Sequence, residues 1–400
     1  MRWLTAGESH GKGLTVLIDD VPAGVPFSLE ALHLDMSRRQ LGYGRGGRMK
    51  IEKDTAEVTS GVRFGKTTGA PIALWIENRD FKNWESVMAV EGQAGEAAET
   101  RKFVRPRPGH ADLAGYYKYG HADLRDVLER ASARETAARV AAGAVAKMLL
   151  SALGVVVFSH VAVLGGVAAP SQPSDTQAGV DWHALRVRAE SNDLRSAAPD
   201  DVLAAMRAAV DAALQAGTTL GGDIEIVALG LPPGLGSYVQ WDRRLDGLLA
   251  QAVMSVQAVK AVSIGAGALG GQVSGDAFHD AMALAEGAVG QPPRLYRPTN
   301  RAGGLEGGVT NGMPLVLRAV MKPIATLRTA LPSVNLETHA VEVAHFERSD
   351  VTAVPACGVV CEAMVSLVLA RALMNKFGHD KLDDMTAAMA HYCDGLAPSP

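Results

Sequence analysis

Cysteine is nearly absent, with Cys357, Cys361 and Cys393 the only three in 400 residues. So sparse and odd a set excludes a disulfide framework and fits a reducing compartment. Cys357 and Cys361 stand four apart in an apolar stretch with no His or Cys partner nearby, so they read as small core residues rather than metal ligands, and no metal site is expected. Excess charge is lacking too. The net charge of -4, with 20% charged residues, argues against a nucleic-acid protein. An apolar leader is missing because Glu8, His10 and Lys12 interrupt the first segment, and a cytoplasmic location is expected. Leu149 to Ala169 carries no formal charge and is long enough to span a bilayer. Gly154 divides it, however, into the end of a helix and a β-branched strand, Val155 to Val163, before the Gly165-Gly166 turn. This pattern predicts a buried helix-turn-strand.

What is present is a hydrophobic fraction of 48%, enough for a large core. Helices are expected over Leu29 to Gln40, Arg125 to Leu153, Pro199 to Ala216, Asp242 to Val259, Pro355 to Phe377 and Lys381 to His391. Strands are expected over Gly13 to Val21, Ala56 to Phe64, Pro71 to Glu77, Val155 to Val163, Gly222 to Leu229 and Leu315 to Met321. Strand groups separated by long helices, without a regular βαβ alternation, predict an α+β fold. Pro170 to Trp182 reads as a linker or surface loop, and the tail from Asp394 to Pro400 is expected to be disordered.

Three glycine motifs mimic known sites. Gly7-Glu8-Ser9-His10-Gly11 has the spacing of a nucleophile elbow, but a β-branched run follows where the elbow needs a helix. The chemistry left in that segment is His10. Gly61 to Thr67 is one spacer short of a phosphate-binding loop and runs into a strand, so it reads as a hairpin. Gly265-Ala-Gly267-Ala-Leu-Gly270 is a formal G-x-G-x-x-G and keeps an NAD(P)-dependent oxidoreductase as a competing reading.

The strongest chemical signal is arginine among glycines. Arg38, Arg39, Arg45 and Arg48 fall at a helix end and in the Gly-rich loop after it, and Arg105 and Arg107 add two more before His110. Like charges at ~4 Å repel by roughly 4 kcal/mol at an effective dielectric near 20, so such a cluster asks for an anion to join it. Glycines let backbone and guanidinium forks close around a carboxylate or phosphate.

Six blocks, GESHGKG, RRQLGYGRGGRM, RPGHADLAGYYKYG, RASARETAARVAAG, NRAGGLEGGVTNG and HFERSDVTAVPACGVV, resemble in order the signature blocks of the chorismate synthase family across nearly the whole chain. The resemblance implies a single domain over residues 1-400, a β-α-β sandwich with helices packed between antiparallel sheets, and a homotetramer. It implies conversion of 5-enolpyruvylshikimate 3-phosphate to chorismate by 1,4-elimination of phosphate. Reduced FMN is the implied cofactor, with NADPH or a separate flavin reductase as the source of electrons. His10 then corresponds to the group that protonates the departing phosphate, His110 to a histidine acting on the reduced flavin, and Asp350 to an acid near flavin N5. Arg38, Arg39, Arg45, Arg48 and Arg107 become substrate or NADP ligands. The FMN set comprises Arg130, Ala131, Ser132, Ala133, Gln257, Ala258, Gly307, Lys322, Pro323, Ile324, Ala325, Thr326 and Arg348. Within it, Lys322, Thr326 and Arg348 suit the flavin phosphate. Departures are Gln257 for a frequent Asn, the Ser263 to Ala268 stretch for an acidic EIGDGF, and Ser349 for a histidine in some members.

Overall fold

Leu14, Val16 and Ile18 alternate with Thr15 and Leu17, and Ile72, Leu74 and Ile76 alternate with Ala73 and Trp75. Such two-residue periodicity buries one face of a sheet. In a computed structural model of the chain, in which residues 1–46, 54–92, 95–169, 180–285, 294–347 and 349–396 are described, these residues form the inner face of a four-stranded antiparallel sheet. Its order is Arg2–Ala6, Gly13–Asp19, Ile72–Glu77, Ala56–Ser60. A second antiparallel sheet runs Val259–Ile264, Leu315–Met321, Gly222–Leu229, Val156–Leu164, Val167–Ala168. Between the sheets lie the helices. Thr136–Ala152 packs on the first sheet, Val354–Phe377 on the second, and the two pack on each other. The architecture is α+β, with helices between antiparallel sheets.

Helix against helix comes closest at Gly143, where an added Cβ would sit 2.2 Å from the Ala363 Cβ. Val354–Phe377 is long and apolar enough to cross a membrane, but it is mostly buried inside the chain as the central core helix. Cys357 and Cys361 are buried within it as expected. The helix-turn-strand reading of Leu149 to Ala169 also holds, with Gly154, Gly165 and Gly166 at positive φ.

The core helix carries one charge at its centre. Glu362 is wholly buried and accepts from Arg38 (2.9 and 3.0 Å), Lys147 (2.6 Å), Arg195 (3.0 Å) and Ser159 (2.7 Å). Asp35 shares Arg38 and Lys147. Burial alone would raise the Glu362 carboxyl. Arg38, Lys147 and Arg195 outweigh it and hold the group well below the ordinary carboxylate range.

Helix Leu29–Gln40 and strands Gly222–Leu229 and Leu315–Met321 have the bounds the sequence predicts. Other elements differ for visible reasons. The expected helix Arg125 to Leu153 breaks at Ser132 (φ -60, ψ 142) into Arg125–Ala131, a short 3-10 turn and Thr136–Ala152. There the Ser132 hydroxyl accepts from the Arg134 amide and donates to Ser9, a local alternative to the helical bond. Asp242 to Val259 shortens to Leu245–Met254, and Ala258 turns the chain at φ 69 into an unexpected strand, Val259–Ile264. Gly61 at φ 82 ends strand Ala56–Ser60, and Val62–Arg63 pairs with Lys66–Thr67 as the predicted hairpin. After Val259–Ile264 the glycine motif forms a 3-10 turn, Gly267–Gly271, with no helix starting inside it and only antiparallel strands alongside. The pyrophosphate-binding geometry is therefore missing, which overturns the dinucleotide-oxidoreductase reading. Asp181 caps helix Trp182–Glu190, so the end of the supposed linker is helical, while residues 170–179 lie outside the described residues. Helix Leu382–Asp394 takes in the first residue of the tail, and residues 397–400 lie outside the described residues.

Two stability tests follow from this packing. Gly143→Ala should destabilise the protein by about 1–3 kcal/mol, the cost of overpacking. Gly247→Ala is the control, in a helix where an added Cβ meets nothing within 4 Å, and should be neutral or stabilising in denaturant unfolding. Glu362→Gln should cost about 3–5 kcal/mol at neutral pH, because it leaves buried cations uncompensated. A depressed carboxyl contributes stability that is present above its unfolded pKa near ~4.3 and lost as pH falls toward the folded value. Unfolding measured from pH 6 downward should accordingly show a shallower acid limb in Glu362→Gln than in the parent.

Candidate active site

The loop after strand Arg2–Ala6 is drawn tight by Gly7, where an added Cβ would strike the Gly13 carbonyl oxygen at 2.3 Å. It presents Ser9 and His10, both buried. Glu129, near the end of helix Arg125–Ala131, holds both. Its carbonyl accepts from the Ser9 amide (3.0 Å), Oε2 accepts from the His10 amide (2.7 Å), and Oε1 lies 2.8 Å from His10 Nδ1. Arg125, one turn earlier, pairs with Glu129 at 3.2 Å. Trp84 stacks on the His10 ring with centroids 3.7 Å apart. Ser9 meets only Ser132 through its hydroxyl, at 3.1 Å, with no base placed to activate it among its described contacts.

The second histidine sits in the turn Arg107 to His110. Asp112, fully buried at the start of helix Asp112–Tyr119, accepts a forked pair of bonds from Arg107 (2.9 and 3.1 Å) and faces His110 Nδ1 at 2.5 Å. Burial would raise the Asp112 carboxyl, but the His110 and Arg107 bonds prevail and hold it well below its usual range. Arg107 also reaches Thr326 at 3.3 Å, and the Lys322 ammonium donates to the Gly109 carbonyl at 2.5 Å. The predicted His110 block and the Lys322 to Thr326 turn therefore meet.

From Thr326 the contacts lead on to Asp350. Ser349 donates to the Thr326 carbonyl (2.9 Å), and Asp350 accepts from Arg45 (2.8 Å) and the Gly46 amide (2.6 Å). Glu347 lies 4.0 Å from Arg125. Burial would raise its carboxyl, yet His345, Arg107, Arg125 and His10 together lower it. On the other flank, Arg130 caps strand Arg2–Ala6 through the Thr5 and Gly7 carbonyls, beside Ala131, Ser132 and Ala133. Gln257 donates to Glu135 at 3.1 Å, and the Ala258 carbonyl takes the Lys322 amide. Pro323, Ile324 and Ala325 complete that turn, with the Ile324 carbonyl bound by Thr219.

Arg38, Arg39 and Gly307 have other described partners. Arg38 is held by Glu362 and Asp35, and Arg39 is buried on Asp54, which Arg134 also grips. Gly307 (φ 60) turns the hairpin of Leu305–Glu306 and Val309–Thr310 beside Tyr238, and its described contacts do not reach the histidine clusters. Arg48 and Arg348 lie outside the described residues. A cavity of about 330 Å³ between Met282, Tyr296, Arg297 and Glu306 includes none of the predicted residues.

Sequence reasoning missed Glu129, Asp112, Glu347 and Trp84. A signal was available for two of them: Asp112 follows His110 by two residues, and Glu129 follows Arg125 by one helical turn.

Comparison with known proteins gives the family. The family model described as chorismate synthase matches residues 1–374. The chorismate synthase of Symbiobacterium thermophilum is 51% identical over 99% of this chain and 100% of its own length. That of Moorella thermoacetica is 53% identical over 98% of each. A crystal structure of a chorismate synthase, 40% identical, superposes with a TM-score of 0.77 over 98% of this chain and 97% of its own. With a match of this length and identity, the chain belongs to the chorismate synthase family.

Proposed function

We propose that the protein converts 5-enolpyruvylshikimate 3-phosphate to chorismate, as a phosphorus–oxygen lyase that eliminates phosphate and the C6 proton in a 1,4 sense, with reduced FMN bound. The observation that carries this reading is a pair of histidines each held by a buried carboxylate and an arginine, His10 with Glu129 and Arg125 and His110 with Asp112 and Arg107, with Glu347 4.0 Å from Arg125 and lowered by the charges of Arg107 and His10. Two proton-bearing rings beside guanidinium groups suit the loss of a phosphate and a proton from an anionic substrate.

The residues fit a flavin phosphate. Lys322 is shifted below its ordinary range by partial burial and by Lys260, and neither lysine has a salt-bridge partner among the described residues. An anion there would relieve the repulsion. Gln257 Oε1 is buried without a hydrogen-bond partner among the described residues, in the turn that meets Lys322, and can accept from a bound ligand. Reduced FMN, when bound, would supply electron density to the breaking C–O bond and recover it as the C–H bond breaks.

The rest falls to the chain. Arg45 binds substrate anion, and its pairing with Asp350 holds it extended into the site beforehand. His10 carries a proton to the departing phosphate. Asp350, fixed by Arg45 and the Gly46 amide, is placed to accept one. Trp84 covers the His10 ring and keeps water from it. The reading extends to a cytoplasmic homotetramer that takes its reducing equivalents from NADPH or a separate flavin reductase.

Two measurements test it. Under strict anaerobiosis, one photoreduction of bound FMN should support many turnovers, since the elimination is redox-neutral. A one-to-one ratio of reductant to chorismate would overturn the proposal. Arg45→Ala should weaken substrate binding by about 1.5–3 kcal/mol, the worth of a charge-assisted bond, and FMN binding less. Equal losses for both ligands, read by equilibrium titration, would remove Arg45 from the substrate site.

A further inference from the structure

We infer that Glu129 is the positioning residue of the reaction: it fixes the tautomer of His10, so that Nδ1 keeps its proton and exchange with the departing phosphate runs through Nε2. The inference rests on the role given to His10 above. It goes beyond that role, because nothing in the chemistry of a lone loop histidine says which nitrogen works.

The geometry is specific. One carboxylate grips the same residue twice, at the amide nitrogen (2.7 Å) and at Nδ1 (2.8 Å). An ionised carboxylate only accepts hydrogen bonds, so the ring nitrogen facing it must carry hydrogen. Glu129 is itself 2% exposed, is paired with Arg125 and is anchored on a helix, so it cannot drift to another partner cheaply. Trp84 stacks on the ring face, and the Arg101 and Arg125 guanidiniums lie 4.4 and 5.3 Å from the Trp84 ring. These contacts leave the ring little freedom to flip. Glu347, among whose neighbouring charges His10 and Arg125 both count, and Asp80, which accepts from the Trp84 indole at 3.0 Å, are further carboxylates at this end of the site.

The proton then has a defined course. The imidazolium bears hydrogen on both nitrogens; the Nε2–H bond breaks as a phosphate O–H bond forms, and the ring is left neutral with hydrogen on Nδ1 against Glu129. The departing charge is met by a proton already aimed at it. A purely structural role for Glu129, holding the Ser9-His10 turn, needs the amide bond alone and is indifferent to the tautomer.

Glu129→Gln separates the two roles. The amide is nearly isosteric, its oxygen can still accept from the His10 amide, and its NH₂ then points at Nδ1. That reverses the bond and drives the proton to Nε2 in the neutral ring. Solid-state ¹⁵N spectra of histidine-labelled apoprotein, with the His10 signals assigned by their loss in His10→Asn, should show Nδ1–H in the parent and Nε2–H in Glu129→Gln. Turnover in chorismate formation should fall on the order of 100-fold, within the range for losing a positioned proton donor, while KM and FMN binding stay within about threefold. A neutral ring protonated on Nε2 alone in the parent would overturn the inference without any variant. So would a flipped tautomer with parental turnover, or an unflipped one in Glu129→Gln. Because the tautomer is read without substrate, a parent that shows Nδ1–H and makes no chorismate would refute the proposed function and leave the positioning of His10 intact.

Discussion

Glu362 is an ionised carboxylate at the middle of the long apolar core helix Val354–Phe377, and the architecture is arranged to make it tolerable. An isolated charge there would cost several kcal/mol. It is offset by donors from four separate places: Arg38 at the end of helix Leu29–Gln40, Lys147 in Thr136–Ala152, Ser159 on a strand of the second sheet, and Arg195, held at φ 52. The sandwich cannot close with any of these out of register. The same bond fixes where helix Leu29–Gln40 ends, and so where the following loop begins. Tyr43 and Gly44 then dock on Asp193, Asp211 and Val351, which delivers Arg45 to Asp350. A structural charge in the core thus sets the position of a charge in the site.

Ser132 plays the matching part on the other side of the layer. By ending one helix and capping the next turn, it bends the chain so that Glu129 and Arg125 face the Ser9-His10 loop while Thr136–Ala152 runs on into the core. Asp54, held between Arg39 and Arg134, fastens that corner to the end of helix Leu29–Gln40. An uninterrupted helix would carry its acidic residues past the loop, and His10 would lose its partner.

Which parts of this were legible in the sequence follows from the range of the forces involved. The short apolar strands Gly222–Leu229 and Leu315–Met321 and the helix Leu29–Gln40 are specified by local composition and pattern, and they were readable to the residue. The break at Ser132 was not. The apolar pattern continues through it, and although the Ser132 hydroxyl takes the Arg134 amide locally, the acceptor of its own hydrogen is Ser9, more than a hundred residues away. Ala258 at positive φ carries no composition signal, since glycine is the residue expected there. In the site, His10, His110, Arg45 and Asp350 stood out through their motif blocks, whereas Glu129, Asp112 and Glu347 looked like the polar faces of helices and loops.

The arginine-rich stretch shows the same limit from the side of charge. Spacing along a chain reveals cations but not their counter-ions, and Arg38, Arg39 and Arg107 each find a buried carboxylate on another element or several residues on. These pairs are why a site for an anionic guest is lined with acids. Asp112 and Asp350 hold Arg107 and Arg45 extended and oriented before any ligand arrives, so the guest does not have to order flexible side chains on entry. In the proposed reading, a phosphate or carboxylate arriving at Arg45 replaces one anion by another rather than creating a new charge pair in a dry site. Lys322 and Lys260 lack such an internal counter-ion among the described residues. The described cations therefore fall into two kinds, with Arg45 and Arg107 each matched by a carboxylate and the lysine pair, which reaches the Gly109 carbonyl beside His110 through Lys322, without one.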